Sequence, residues 1–219
     1  MPTQLTDQET REMLLATAKA MITQNLVEGT AGNLSARLPD GNVVLTPGSL
    51  PYETMTLDDL VVCDLDGNVR EGTRSPTSEK DLHLTCLREH DDINAVMHCH
   101  AKYSTMFAIT GQAIPCVIEE VHAYIGGDVH VADYKMTGSK DLGIEVARHV
   151  GDHAAVLMAN HGLLTVGKDP ANCLKLALLV ERTAEIVWGA RALGPLVPLP
   201  EKTVKQMTPV YKNWMRANG

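Results

Sequence analysis

The stretch Ala95–His100 reads as a short apolar strand ending in two histidines one residue apart, and it constrains this chain more than any other feature. Side chains on a strand alternate between its faces. His98 and His100 therefore project to one side and Cys99 to the other. Two imidazoles on one face can chelate a metal ion without distorting the backbone. The bland alternative is a pair of partly exposed strand-end histidines, since the chain has nine. The rest of the chain decides between them, by supplying or failing to supply further ligands and a place for substrate.

A chain of 219 residues fits one domain and is long enough to bury a core. The formal net charge is -8 and no block of Lys or Arg occurs. That argues against nucleic acid or an anionic membrane as partner. A small anionic substrate is still allowed, because backbone N–H groups and hydroxyls can hold one phosphate. The five cysteines are widely spaced and form no C-x-x-C pair, a pattern that suits a reducing cytoplasm. The polar N-terminus does not read as a signal peptide. No apolar run approaches the ~18 residues of a membrane span.

Thr6–Asn25 is predicted as a helix opened by a Thr6/Glu9 capping box. Glu28–Ser35 follows as a glycine- and hydroxyl-rich loop. It is either a helix stop and turn or a place where backbone N–H groups approach an oxyanion. Strands are expected at Leu34–Leu38, Val43–Thr46 and Leu60–Leu65, with a return through Val69, joined by hairpin turns. A helix is expected from Ser78, N-capped by Ser78 with Asp81, to about His90. Glu79 sits in its first turn, where a surface carboxylate complementing the helix dipole is the ordinary reading. Further elements are a short helix at Tyr103–Thr110, a helix at Ser139–Val150, a buried strand at Ala154–Ala159 and a long helix after Asp169–Pro170. The segment Ile114–Val131 gathers Glu119, Glu120, His122 and Tyr124 in apolar surroundings. The proline-rich segment 195–219 reads as a mobile or partner-docked tail.

His161 ends the second buried strand, as His98 and His100 end the first. Sheets of this kind place their sites at strand ends. Three histidines and a carboxylate, with room for a substrate oxygen, form a catalytic rather than a structural zinc arrangement. The landmarks Gly32-Asn33-Leu34-Ser35, Thr46-Pro47-Gly48, Ser78-Glu79, His98-Cys99-His100 and Asn160-His161-Gly162 occur in that order. On them the chain resembles the class II aldolase/adducin family, most closely its L-fuculose-phosphate aldolases, over about Thr6–Trp188.

The resemblance implies an α/β single domain over 1–219, with a central antiparallel-rich sheet flanked by helices. It implies His98, His100, His161 and Glu79 as ligands of one divalent metal, Zn²⁺ or else Mn²⁺ or Co²⁺. Glu79 would also be the catalytic base. Gly32, Asn33, Thr46, Gly48, Thr77 and Ser78 would form the cup for a substrate phosphate. The protein would be a cytoplasmic homotetramer with active sites between subunits. The implied reaction is cleavage of a phosphorylated, L-fuculose 1-phosphate-like ketose to dihydroxyacetone phosphate and an aldehyde through an enediolate. Metal Lewis acidity and a carbon base suit such chemistry. The proton donor stays open among Tyr124, Tyr211, His122, Glu119 and Glu120, because the tyrosine expected shortly after Ile114-Pro115 is replaced by glutamates. Other reactions on the same scaffold are decarboxylation of a 3-oxo sugar-acid phosphate, epimerisation and dehydration. Glu79 argues against the epimerases, which carry Asp at that position. An adducin-like interaction module would lack the three histidines.

Overall fold

The computed structural model describes residues 5–217, with side chains as far as residue 213. The first helix, α1 (Asp7–Thr23), starts as its capping box dictates: the Glu9 amide donates to Thr6 Oγ1 and the Thr6 amide donates to Glu9 Oε2 at 2.8 Å. Four strands follow, β1 (Asn33–Arg37), β2 (Val43–Leu45), β3 (Val61–Cys63) and β4 (Val69–Glu71). Next come α2 (Lys80–Glu89), β5 (Ala95–Cys99), α3 (Lys102–Thr110), α4 (Glu119–Ile125), β6 (Val131–Ala132) and α5 (Lys140–Ala147). The chain closes with β7 (Ala155–Met158), β8 (Gly162–Gly167), α6 (Pro170–Ala190) and α7 (Glu201–Ala217).

The strands form one eight-stranded sheet in the order β4-β3-β2-β1-β5-β8-β7-β6. Every neighbouring pair is antiparallel except β6 with β7. This is the predicted α/β fold with an antiparallel-rich sheet. Both faces are covered. Leu34, Ala36, Met97, Cys99 and Leu157 pack into a core shared with α1, α3 and α6. Their neighbours along the strands, Val43, Leu45, Val96, Val156 and Leu164, pack into a second core under α2 and α5. Period-two alternation thus divides the inner strands between two cores, while the edge strand β4 is exposed.

Besides the two-residue strand β6 and a 3₁₀ turn at Leu57–Asp59, the structure adds three elements that the residue patterns left unassigned. The segment around Glu119 is helical as α4, closed by Gly126 in the left-handed conformation. The apolar run after His161 is a strand, β8, in a tight hairpin with β7. Residues 201–217 form α7 where a tail was expected; residues 218–219 of that tail lie outside the described residues. Pro209 inside α7 and the prolines before it disguise the helix in the sequence. α7 packs on α4, where His122 Nε2 donates to Thr208 Oγ1 at 3.1 Å and Tyr211 lies buried against Gly126. All five cysteines are free thiols, and no helix among the described residues is long and apolar enough to cross a membrane.

α3 starts immediately after His100 and Ala101 at its N-cap brings no capping side chain. Glu181 of α6 takes over: its carboxylate accepts from the amides of Tyr103 and Ser104 and from the Ser104 hydroxyl, each at 2.8 Å. This clamp fixes the exit of the histidine strand. Glu181→Ala should lower the unfolding free energy by about 2 kcal/mol, the worth of a lost cap with charge-assisted bonds. Denaturant unfolding followed by circular dichroism measures it, and an unchanged midpoint would show the clamp to be dispensable.

Candidate metal centre and substrate cavity

Antiparallel register sets up the site. Asn33 of β1 lies opposite His98 of β5, and His98 opposite Leu164 of β8. Because Leu34 and Met97 face the α1/α6 core, Asn33 and His98 face the α2 side of the sheet. His100 follows on the same side. His161 comes from the β7–β8 hairpin, where Asn160 adopts φ 57, a left-handed conformation that Asn tolerates better than most residues. Gly162 lets this hairpin close on β5: a Cβ there would stand 2.5 Å from the Cys99 carbonyl oxygen and about 3.2 Å from the His98 ring.

The three imidazoles converge. Their ring centroids lie 4.8, 4.5 and 5.3 Å apart for the pairs His98–His100, His98–His161 and His100–His161. One nitrogen from each falls within 4.8 Å of the others, an arrangement that could hold a metal ion. His98 Nδ1 donates to the Leu163 carbonyl at 3.0 Å, which leaves Nε2 with its lone pair toward His100 Nε2, 3.0 Å away. Burial pushes the pKa of His98 down despite the nearby Glu79 carboxylate, and burial and His161 push that of His100 down. Neutral imidazoles are what a divalent cation requires.

Glu79 is the N-cap of α2, yet its side chain makes no capping bond. It turns into the sheet instead. Oε2 accepts from Asn33 Nδ2 at 2.8 Å and stands 3.4 Å from His98 Nε2; Oε1 accepts from the Thr137 hydroxyl at 3.2 Å and stands 3.5 Å from His161 Nε2. Burial opposes the charge on this carboxyl, but His98, the Asn33 amide and His161 outweigh it and hold its pKa below the ordinary range. Glu79 is therefore a buried carboxylate, 5% exposed, rather than the surface charge of the bland reading. The expected Ser78 cap is displaced by one residue, and Ser78 is left exposed to the cavity.

A cavity of about 560 Å³ opens beside these groups. His100, His161, Glu79 and Thr137 line it together with Gly32, Asn33, Gly48, Thr77 and Ser78. Glycine is required at position 32, where φ is +76 and a Cβ would meet the His98 carbonyl oxygen at 2.8 Å. Of the six residues expected in a phosphate cup, five are on the wall. Thr46 sits beneath it, buried, with its hydroxyl accepting from the Leu34 amide and its carbonyl accepting from the Thr77 amide.

Other expected residues stand elsewhere in the chain. Glu119 and Glu120 are exposed on α4, Tyr124 is half-buried with Lys175 Nζ 5.0 Å from its ring centroid, and His122 and Tyr211 are packed between α4 and α7. None of them lines the cavity. Two residues of the site were not anticipated. Thr137, on the loop after β6, carries no local signal in the sequence. His83 does: it lies one helical turn beyond Glu79 on the same face of α2, and burial pushes its pKa down to about 4, against Glu79 and the Val96 carbonyl.

Comparison with known proteins agrees with this geometry. The chain is 34% identical to a 5-deoxy-D-ribulose 1-phosphate aldolase of Bacillus thuringiensis, over 94% of its own length and 97% of the relative's. It is 32% identical to the L-fuculose phosphate aldolase of Escherichia coli, over 85% of this chain and 86% of that protein. The solved structure of an L-fuculose 1-phosphate aldolase superposes with a TM-score of 0.89 at 32% identity, covering 95% of this chain and 98% of that one. The family model of the class II aldolase and adducin N-terminal domain matches residues 12–188. The chain belongs to the class II aldolase and adducin family.

Proposed function

We propose that this protein, an enzyme of the lyase class, cleaves a ketose 1-phosphate to dihydroxyacetone phosphate and an aldehyde. The observation that carries the reading is the juxtaposition, at one cavity, of three converging imidazoles, a buried carboxyl group and a wall of hydroxyls, amide and glycine backbone. The relatives named above support it: two of them act, by name, on 1-phosphates of ketoses.

In such a substrate the carbonyl is at C2, so an aldol cleavage breaks the bond between C3 and C4. The C4 hydroxyl loses its proton and becomes the aldehyde. The electron pair of the broken bond goes to C3, giving the enediolate of dihydroxyacetone phosphate, and a proton delivered to C3 completes the product. His98, His100, His161 and Glu79 are the residues that would hold a divalent metal, Zn²⁺ by the nature of the donors, with Mn²⁺ or Co²⁺ tolerated by the same set. A metal there supplies the Lewis acidity that makes an enediolate accessible. Gly32, Asn33, Gly48, Thr77 and Ser78 hold the phosphate, with Thr46 setting the Leu34 and Thr77 backbone behind them. Glu79 carries the proton to and from C3. Asn33 and Thr137 keep its two oxygens in place until substrate arrives.

The acid–base partner at the C4 oxygen comes from a neighbouring subunit in this reading, from among Glu119, Glu120, His122, Tyr124 and Tyr211, in a cytoplasmic homotetramer. Two large apolar side chains, Tyr134 and Met136, are 59% and 67% exposed on the Thr137 loop, which supports a subunit interface beside the cavity.

Replacing Glu79 by Gln keeps the size of the side chain and removes the proton acceptor. With the metal still bound, kcat for release of dihydroxyacetone phosphate should fall by roughly 10²–10⁴-fold, the usual worth of a general base. A coupled assay with ketose 1-phosphates reads this, and carbon dioxide evolved from an oxo-acid phosphate in its place would replace the aldolase reading by a decarboxylase. Ser78→Ala removes one bond to a charged group, about 1.5–3 kcal/mol, and should raise KM roughly ten- to hundred-fold. An equal KM for Ser78→Ala and wild type would remove Ser78 from the phosphate cup.

A further inference from the structure

α2 presents Glu79 and His83 one turn apart, and the side chain of Asn33 rises from β1 between them. Asn33 Nδ2 lies 2.8 Å from Glu79 Oε2, and Asn33 Oδ1 lies 2.5 Å from His83 Nε2. The other ring nitrogen of His83 is 2.8 Å from Ser35 Oγ. Ser35 and His83 are fully buried, and Asn33 and Glu79 are each 5% exposed. These groups form one continuous chain, Ser35–His83–Asn33–Glu79, running from the interior to the cavity wall.

Hydrogen-bond chemistry gives the chain a single direction. A carboxylate only accepts, so Asn33 must turn its NH₂ group toward Glu79. Its carbonyl oxygen then faces His83, and His83 must carry its proton on Nε2. With the ring neutral, Nδ1 accepts and the Ser35 hydroxyl donates there. Reversing any member would set acceptor against acceptor in a buried place, where an unmet polar group is costly. His83 lines no part of the cavity and is not one of the three converging histidines.

We propose that His83 is a positioning residue: through Asn33 it fixes the Glu79 carboxylate in the orientation from which Glu79 exchanges a proton with the substrate carbon. The inference rests on the aldolase reading for its kinetic consequence. Its structural half, the Nε2–H tautomer that orients Asn33, stands apart from any activity.

The experiment pairs kinetics with nuclear magnetic resonance on zinc-loaded protein. His83→Leu keeps an apolar side chain of moderate size and removes the donor. It should lower kcat roughly 10–100-fold, the range seen when an outer partner of a site is removed. KM should stay within about threefold and the metal content should equal that of wild type. His83→Gln, whose amide nitrogen can reach where Nε2 lay, should recover most of the loss. Ser35→Ala, a small change, should shift kcat in the same direction as His83→Leu. A His83→Leu enzyme with wild-type kcat, a kcat loss that follows lost metal, or a His83→Gln enzyme no better than His83→Leu would each overturn the proposal. In selectively ¹⁵N-histidine-labelled wild type, His83 should be neutral and protonated at Nε2. A ring protonated at Nδ1 would overturn it independently, because Asn33 would then have to face the other way. A wild-type protein that turns over no sugar phosphate would overturn the aldolase reading instead, and the tautomer would still decide whether His83 orients Asn33.

Discussion

The site depends on keeping one buried carboxylate charged. Glu79 has left solvent almost entirely, and an isolated charge in such a place would be neutralised or expelled. It persists because the Asn33 amide donates to one of its oxygens and the Thr137 hydroxyl to the other. Each of the groups around it arrives on a different element: Asn33 on β1, His98 on β5, His161 on the β7–β8 hairpin, Thr137 on the loop after β6. The carboxylate is thus the point at which the register of the sheet, the placement of α2 and the hairpin turn are checked against one another.

A sheet covered on both faces makes this possible. Alternate residues of β5 enter two separate apolar cores, so the strand cannot rotate or slip by one residue without exchanging them. Slippage would carry His98 to the α1/α6 side, away from α2. The Glu181 clamp holds the next helix in place directly after His100, and Gly162 admits the hairpin that brings His161. Rigid elements therefore carry the converging histidines and Glu79, while the glycine- and hydroxyl-rich loops supply the open wall of the cavity. Such a division is what precise placement of reacting groups calls for.

Much of this could be read from the residues. The His-x-His spacing on an apolar strand implied one shared face, and the structure has it. The helix α1 with its capping box and the hairpin strands follow from local chemistry, and the ordered landmarks picked out five residues that the structure places on the cavity wall. The failures have physical reasons. Pro209 hid α7, because a proline inside a helix counts locally as a breaker, whereas packing of Tyr211 and Thr208 on α4 compensates for the lost bond. Thr137 was invisible because loop residues reach a site through tertiary placement alone. Glu79 was ambiguous for a related reason: a carboxylate at a helix N-terminus usually faces solvent, and only the sheet packed against α2 turns it inward. His83 could have been found from its spacing to Glu79, had Asn33 been placed between them.

The most direct measurement is exchange of a carbon-bound hydrogen. Dihydroxyacetone phosphate, incubated with the metal-replete protein in D₂O without any aldehyde, should gain one deuterium at the carbon bearing its hydroxyl group, because enediolate formation precedes the meeting with an aldehyde. Proton magnetic resonance or mass spectrometry of the recovered compound reads it. Stereospecific incorporation at a rate well above that of the protein-free control is the result this account predicts. No incorporation by metal-replete protein would mean that dihydroxyacetone phosphate is not the enolate partner, and would contradict the assignment of this cavity to ketose 1-phosphate cleavage.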